Sequence, residues 1–230
     1  MPEDLQTGFT YKEYVDDRLA FVRKVLGIVS FQLALTMTIA MLASSYDVFG
    51  MWVSQLWVQI VSLVLLILTI IPLVFLHKSV PINYLLLLLV TCCESVAVAA
   101  WTAMFTPESV LLSIFVLSAT VLSLFTATLF TPRWEWLIGF MIGGLILSCI
   151  GQLIMMIVWL TRGFLTDGWF VFYGICGVIL TGIYVMIDLI MVMIPEGGFS
   201  MDDYILASLM LYVDIIRMFI YILMIFGKSK

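Results

Sequence analysis

Seven stretches of about twenty or more mostly apolar residues follow one another through this chain. The hydrocarbon core of a bilayer is about 30 Å thick, and roughly 20 residues of α-helix cross it. Inside that core, a helix satisfies its backbone hydrogen bonds within the segment. A chain with this pattern is expected to fold as a set of membrane-spanning helices. The stretches are 25–45, 55–76, 82–105, 109–130, 136–159, 169–194 and 204–226.

The composition agrees with a membrane protein and excludes several other classes. Hydrophobic residues make up 64% of the chain and charged residues 11%, which leaves too little polar surface for a soluble globule. A net charge of −5 with ten lysines and arginines argues against nucleic-acid binding. The chain has a single histidine, which argues against most metal sites. Its four cysteines lie inside apolar stretches, which argues against a disulfide framework. We therefore expect a lipid environment, no nucleic-acid partner and no cofactor.

The breaks between the stretches are short and contain proline, glycine and serine, which end helices. None is long enough to hold a soluble domain. The sequence therefore predicts an all-α membrane protein with a seven-transmembrane-helix bundle over residues 25–226. Residues 1–24 are predicted to form a cytosolic N-terminal tail, and residues 227–230 a C-terminal tail.

The positions of the basic residues predict the orientation, because cytoplasmic loops are enriched in lysine and arginine. Six basic residues fall on the N-terminal side and three on the other, so we expect a cytosolic N-terminus. A re-entrant last segment would increase this asymmetry, but the length of 204–226 favours a full span. The first group is Lys12, Arg18, Arg23, Lys24, Lys78 and Arg133, and the second is Arg162, Lys228 and Lys230.

Four ionisable residues lie inside the apolar stretches: Glu94, Asp188, Asp214 and Arg217. A charge at the bilayer centre costs about 2.5–3.5 kcal/mol on insertion scales, so each marks a candidate site. Asp188 lies roughly 9 Å from the end of its helix and Asp214 roughly 15 Å from the start of the next. Since consecutive helices run antiparallel, the two carboxyls can lie at similar depth. A close carboxyl pair would share a proton and act as a proton-sensitive latch.

Other roles for these residues stay open at this point. Asp188 can face a wet vestibule near the membrane surface. Asp214 and Arg217 are one helical turn apart and can form a static ion pair. Glu94 can be a protonated hydrogen-bond donor between helices instead of an ion ligand.

Enzyme classes fit the sequence less well. Intramembrane aspartyl proteases also use two aspartates on neighbouring helices. They carry Gly-x-Gly before the second aspartate, whereas this chain has Leu211-Tyr212-Val213. The single histidine, His77, lies at a segment end, which argues against rhomboid-type catalysis, and no His-Glu-x-x-His metalloprotease motif occurs. We therefore predict that the protein is not an enzyme.

Several motifs together resemble the transmembrane Bax inhibitor motif family, in particular its Lifeguard branch, which includes the Golgi anti-apoptotic proteins. The last segment is similar to that family's Glu-Glu-Tyr…Leu-Tyr-Leu-Asp-Ile-Ile pattern and is the most specific of the motifs. The matching motifs are Arg18-Leu-Ala-Phe21-Val-Arg23-Lys24-Val25 followed by Gln32 and Thr36, then His77-Lys78-x-x-Pro81-x-Asn83, Thr91-x-x-Glu94, and Asp202-Asp203-Tyr204 through Leu211-Tyr212-Val-Asp214-Ile-Ile216.

The resemblance implies a seven-helix fold with the last helix central, an endoplasmic reticulum or Golgi location, a pH-sensitive calcium leak and suppression of apoptosis. By motif position, Asp188 and Asp214 correspond to the family's proton-sensing pair and Glu94 to its acidic residue on the third helix. These three carboxyls are the expected ion pathway, with calcium as a transient, permeant ligand. Members of the Bcl-2 family or other membrane proteins are the implied partners.

The chain departs from the family pattern at two places. Ile187-Asp188-Leu189 replaces the usual Tyr-Asp-Thr, and Arg217 stands where the family typically has asparagine. A fixed cation one turn from Asp214 favours its ionised form and repels incoming calcium. We therefore expect a divergent member, cellular or virus-encoded, in which an Arg217 salt bridge tunes the gate. The alternative is a non-conducting membrane adaptor that acts through protein partners.

Overall fold

The structure, a computed structural model, describes residues 3–128, 167–193 and 199–230. The fifth predicted segment, 136–159, lies outside the described residues, as do Arg133 and Arg162, which contributed to the predicted orientation. The described residues form helices joined by short turns. These helices are α1 (Glu3–Ser45), α2 (Asp47–Val53), α3 (Leu56–Leu76), α4 (Ile82–Thr102), α5 (Pro107–Thr128), α6 (Asp167–Met193) and α7 (Tyr204–Phe226).

Six of these helices are long and apolar enough to cross a bilayer, namely α1 from Asp16 onward and α3 to α7. The helix α2 has seven residues and is too short to span. Large apolar side chains cover much of the outside, as on α3, where Leu68 is 60% and Phe75 is 80% exposed. Such surface is compatible with lipid and not with water. The predicted multi-span helical membrane bundle is confirmed.

Helix boundaries follow local sequence chemistry at several predicted breaks. The helix α5 begins at Pro107, and proline is favoured at a first helical position because its missing N–H has no intrahelical partner there. The helix α1 ends at Ser45 and α4 begins directly after Pro81. The helix α4 ends at Thr102, three residues before the end of the predicted stretch 82–105.

The first helix is much longer than the predicted segment 25–45, because it begins at Glu3. Arg18 and Phe21 on this added part are 5% and 4% exposed. Residues 3–24 are therefore helical and continuous with the first span, and their cytosolic placement stays a prediction. The apolar pattern did not indicate this extension, because hydropathy records contact with lipid, whereas Arg18 and Phe21 are buried against other helices.

The short helix α2 was also not predicted, since residues 46–54 were expected to be a loop. Its last residue, Val53, is fully buried with Ala43 of α1 and Ala99 of α4. Gly50 permits this packing, because a Cβ at that position would lie 2.6 Å from the Ala43 carbonyl oxygen.

Two groups of contacts define the ends of the bundle. At one end, which we call the Asp203 end, the α3–α4 turn meets the segment before α7, with His77 Nε2 lying 3.1 Å from Asp203 Oδ1. At the other, which we call the Lys230 end, the C-terminal residues meet the α4–α5 turn, where the Thr106 N–H donates to the Lys228 carbonyl at 2.9 Å. The helix α7 starts at the first end and finishes at the second, so it crosses the whole bundle.

The last helix lies at the centre, as predicted. Residues on several of its faces are fully or almost fully buried, which happens only when neighbours surround a helix. Its contacts involve α1, α4, α5 and α6. The residues of α7 that are at most 3% exposed are Ile205, Ala207, Ser208, Leu211, Tyr212, Ile215, Ile216, Met218, Phe219, Ile222 and Leu223.

Candidate functional site

Asp214 and Arg217 form an ion pair within α7. Arg217 Nη1 donates to Asp214 Oδ1 at 3.2 Å, and the two side chains are 19% and 16% exposed, respectively. Residues three apart on a helix lie one above the other, which explains why this spacing produces the contact. The salt bridge expected from the sequence is therefore present, and the charge of Asp214 has a partner on its own helix.

Asp188 brings a second carboxyl to this place from α6. It is 4% exposed, and its side chain lies within hydrogen-bonding reach of the Asp214 carboxyl. Among the described residues, its Oδ2 atom has no hydrogen-bond partner. Two facing carboxyls satisfy each other well when they share one proton, and they repel when both are ionised. The antiparallel run of α6 and α7 thus places these two aspartates together.

Glu94 lies on α4 and is partly buried, and the guanidinium of Arg217 is close enough to attract its carboxylate electrostatically. Arg217 acts in the same way on Asp188 and pairs directly with Asp214. The three acidic residues predicted for the ion pathway therefore share one cation. We call Glu94, Asp188, Asp214 and Arg217 the charged cluster.

The charged cluster does not gather its carboxyls into a metal site. Within the ranges that the structure describes, no group of three or more histidine, cysteine, aspartate or glutamate side chains has an arrangement that could hold a metal ion. The transient calcium site expected from Glu94, Asp188 and Asp214 therefore stays a prediction.

A second group of polar side chains joins α1, α4 and α7 beside the charged cluster. Gln32 Nε2 donates to Thr91 Oγ1 at 2.8 Å. Thr36 Oγ1 lies 2.9 Å from Ser95 Oγ and 2.8 Å from Tyr212 Oη. All five residues are at most 2% exposed, and we call them the hydroxyl network. Buried polar groups that bond across helices fix the helices relative to one another.

Charged and polar groups also hold the Asp203 end together. Asp203 Oδ1 lies 3.1 Å from His77 Nε2 and 3.4 Å from Lys78 Nζ, and its Oδ2 accepts from Ser200 N at 3.0 Å and Ser200 Oγ at 2.8 Å. Partial burial by itself raises the pKa of Asp203, but the hydrogen bonds from Ser200 and the nearby Lys78 lower its pKa below the ordinary value. Asp203 therefore ties the α3–α4 turn to the start of α7 as a carboxylate.

Arg18 connects α1 to the Asp203 end by hydrogen bonds. Its Nη2 donates to the Met191 carbonyl at 2.9 Å and its Nη1 to the Phe199 carbonyl at 3.3 Å. The Met191 carbonyl lies in the last turn of α6, where carbonyls lack intrahelical partners and favour a cation. Arg18 thus caps α6 from another helix.

A family model described as "Inhibitor of apoptosis-promoting Bax1" matches residues 18–230. The chain belongs to the Bax inhibitor family. Bax inhibitor 1 of Schizosaccharomyces pombe is 29% identical over 220 residues, which cover 93% of this chain and 78% of that protein. Protein LIFEGUARD 4 of Arabidopsis thaliana is 31% identical over 232 residues, covering 96% and 90%. Protein LIFEGUARD 3 of the same plant is 28% identical over 239 residues, covering 96% and 93%.

Membership in the Bax inhibitor family confirms the resemblance drawn from the sequence motifs. It makes the chain a multi-pass membrane protein of an apoptosis-inhibiting family, and that family is generally not enzymatic. The lipid bilayer is the environment that its helices require.

The sequence motifs that resemble the Bax inhibitor family lie in the charged cluster, in the hydroxyl network and at the Asp203 end. Sequence reasoning singled out Asp188, Asp214, Glu94 and Arg217, and the structure places all four in the charged cluster. It did not identify Tyr212 as a polar contact. The available signal was a tyrosine in the middle of an apolar span, two residues before Asp214.

Proposed function

We propose that this chain is a calcium leak channel of endomembranes, in the endoplasmic reticulum or Golgi, that lowers store calcium and suppresses apoptosis. The observation that carries the proposal is the Asp188 carboxyl, which is 4% exposed and faces Asp214 inside the bundle. An acidic pair at this depth is costly and is characteristic of ion and proton pathways.

Protonation of the pair is the proposed gate. With one shared proton, the two carboxyls attract each other and hold α6 against α7, which closes the path. When both are ionised they repel, and the carboxylate oxygens become hard ligands that suit calcium. The leak should therefore be small in acid and larger in base.

Arg217 is the proposed tuner of this gate. Its contact with Asp214 Oδ1 at 3.2 Å supports the ionised form of one member of the pair. Glu94 of α4, which lies near Arg217, is the third carboxyl of the proposed pathway. The family membership supports the anti-apoptotic outcome, and Bcl-2-family proteins are proposed partners.

One observation favours a second candidate function. Because Arg217 already compensates the carboxyls, the charged cluster can be a fixed structural network in a non-conducting membrane adaptor that binds partners through its loops. An adaptor tolerates the loss of individual carboxyl charges as long as it folds, whereas a channel does not.

The test is calcium efflux from proteoliposomes that contain the purified, folded protein, at about pH 6 and about pH 8. We expect a leak that is larger at the higher pH in the wild type and that loses this dependence in Asp188→Asn. The matched control is Glu108→Gln, which removes an exposed carboxylate at the start of α5 and should leave the leak unchanged. Efflux no faster than from empty liposomes would favour the adaptor.

A further inference from the structure

Thr36 is the centre of the hydroxyl network and is completely buried. Its Oγ1 atom lies within 2.9 Å of oxygens on two other helices, Ser95 Oγ on α4 and Tyr212 Oη on α7. It also lies 2.9 Å from the Gln32 carbonyl one turn earlier on α1. One hydroxyl therefore meets three oxygen neighbours on three helices.

The hydroxyls of Thr36, Ser95 and Tyr212 have fewer protons than the contacts that they make. Four contacts connect the hydroxyls: Thr36 with the Gln32 carbonyl, with Ser95 and with Tyr212, and Ser95 with the Thr91 carbonyl at 2.6 Å. The hydroxyls of Thr36, Ser95 and Tyr212 supply one proton each, and carbonyls only accept. Three protons thus face four contacts, so these three hydroxyls have no donor left over.

The phenol of Tyr212 is also the member of this network that belongs to α7. Since Thr36 donates to the Gln32 carbonyl and Ser95 to the Thr91 carbonyl, the Tyr212 hydroxyl is the remaining donor for the contact between Tyr212 and Thr36. Nearby, Gln32 Oε1 has no hydrogen-bond partner among the described residues, although Gln32 is 2% exposed. Because Thr36 and Ser95 already donate to carbonyls, neither hydroxyl can replace the Tyr212 proton.

The hydroxyl network and the charged cluster lie on the same helices. Tyr212 comes two residues before Asp214 on α7, and Ser95 comes one residue after Glu94 on α4. Because α7 is a continuous helix from Tyr204 to Phe226, a shift that separates Tyr212 from Thr36 also moves Asp214.

We propose that Tyr212, Thr36 and Ser95 form a hydroxyl latch that holds α7 against α1 and α4 and so positions Asp214 opposite Asp188. Tyr212 is a positioning residue in this scheme, since it acts on the ion pathway through Asp214. The proposal rests on the proposed function, because its consequence is measured as a change in the gate. With the latch released, α7 samples positions in which the carboxyl pair is apart, and the path opens without deprotonation.

The experiment compares calcium efflux from proteoliposomes across a pH series for wild type, Tyr212→Phe and Thr36→Val. Both variants keep the side-chain shape and remove a hydroxyl of the latch. We expect the leak at acid pH to rise about fivefold, as the loss of one net hydrogen bond allows, and the pH of half-maximal leak to move downward. Thr36→Ser retains the hydroxyl and should restore the wild-type curve.

Thr38→Val is the matched control on α1. The Thr38 hydroxyl donates to the Ala34 carbonyl of its own helix at 2.7 Å and, among the helices that the structure describes, joins no other one. It should leave the efflux curve unchanged. A latch that only stabilises the fold would lower the unfolding midpoint of Thr36→Val without moving its pH profile, and that result would overturn the proposal.

The wild-type curve separates this proposal from the proposed function. If the wild type shows no leak, or a leak independent of pH, the calcium-leak function itself fails and the latch fails with it. If the wild type shows a pH-dependent leak and Tyr212→Phe has the same curve, the leak stands and the latch alone is wrong.

Discussion

Arg217 Nη1 lies 3.2 Å from Asp214 Oδ1, one turn away on the central helix α7, while Asp188 of α6 approaches the same aspartate from the neighbouring helix. One carboxyl of the proposed gate is thus held between a cation and a second acid. This arrangement determines which form of the pair each substitution should favour.

Replacing Arg217 by asparagine should make the leak more strongly dependent on pH. Without the guanidinium, Asp214 loses the partner that favours its ionised form, so the carboxyl pair responds to protonation alone. The ratio of calcium efflux at about pH 8 to that at about pH 6 should rise severalfold. Arg217→Lys keeps the charge and is the control. An unchanged ratio in Arg217→Asn would show that Arg217 does not tune the gate.

Replacing Arg18 by alanine should destabilise the bundle by about 2 kcal/mol, since hydrogen bonds to charged groups contribute about 1.5–3 kcal/mol. The loss arises from the freed carbonyls of Met191 and Phe199. Unfolding midpoints in detergent would measure it. Arg23→Ala removes an exposed arginine of the same helix and should have little effect. Equal losses in the two variants would contradict the capping role.

Asp203→Asn should lower stability at neutral pH by about 1 kcal/mol. Because its pKa is lower in the folded protein than in the unfolded chain, ionised Asp203 stabilises the fold above its unfolded-state value. This contribution disappears as the pH falls through the folded-state value. Unfolding measured from about pH 7 down to about pH 3 should therefore show wild type and variant converging in acid.

The control for Asp203→Asn is Asp202→Asn, because Asp202 is its exposed neighbour. It should match the wild type over the whole range. A constant difference between Asp203→Asn and the wild type at all pH values would mean that the carboxylate charge is not the cause.

Two glycines of α6 should respond differently to alanine. A Cβ on Gly177 would overlap the ring of Tyr221 on α7, whereas a Cβ on Gly182 would meet its nearest neighbour, Met218 Cε, at an ordinary 3.8 Å. We expect Gly177→Ala to cost about 1–3 kcal/mol by overpacking the α6–α7 contact. Gly182→Ala should be neutral or slightly stabilising, because alanine favours helix. Thermal unfolding in detergent distinguishes them, and equal effects would contradict the packing argument.

The parts of the fold that follow from the local pattern could be predicted from the sequence. Apolar stretches located the spans among the described residues, and the predicted break around Pro107 lies where the structure ends one helix and begins the next. The meeting of Asp188 and Asp214 was also predictable, because charges inside a span face inward and helical rise gives their depth.

Contacts that depend on packing between helices could not be predicted in this way. Residues 3–24 lack an apolar stretch, so nothing local indicates that Arg18 reaches the end of α6. Similarly, the sequence places Thr36 and Tyr212 on their helices but does not show that they face each other across the bundle. A hydroxyl in a span can bond to its own helix, as Thr38 does, and only the arrangement of neighbours decides.

The most direct test of the account is the dependence of calcium efflux on pH in Asp188→Asn, Asp214→Asn and the double variant, reconstituted in liposomes. If the two carboxyls act as one proton-sharing gate, each single substitution abolishes most of the pH dependence, and the double substitution adds little further change. If the two single effects add in the double variant, or if all three keep the wild-type pH profile, the carboxyl pair is not the gate.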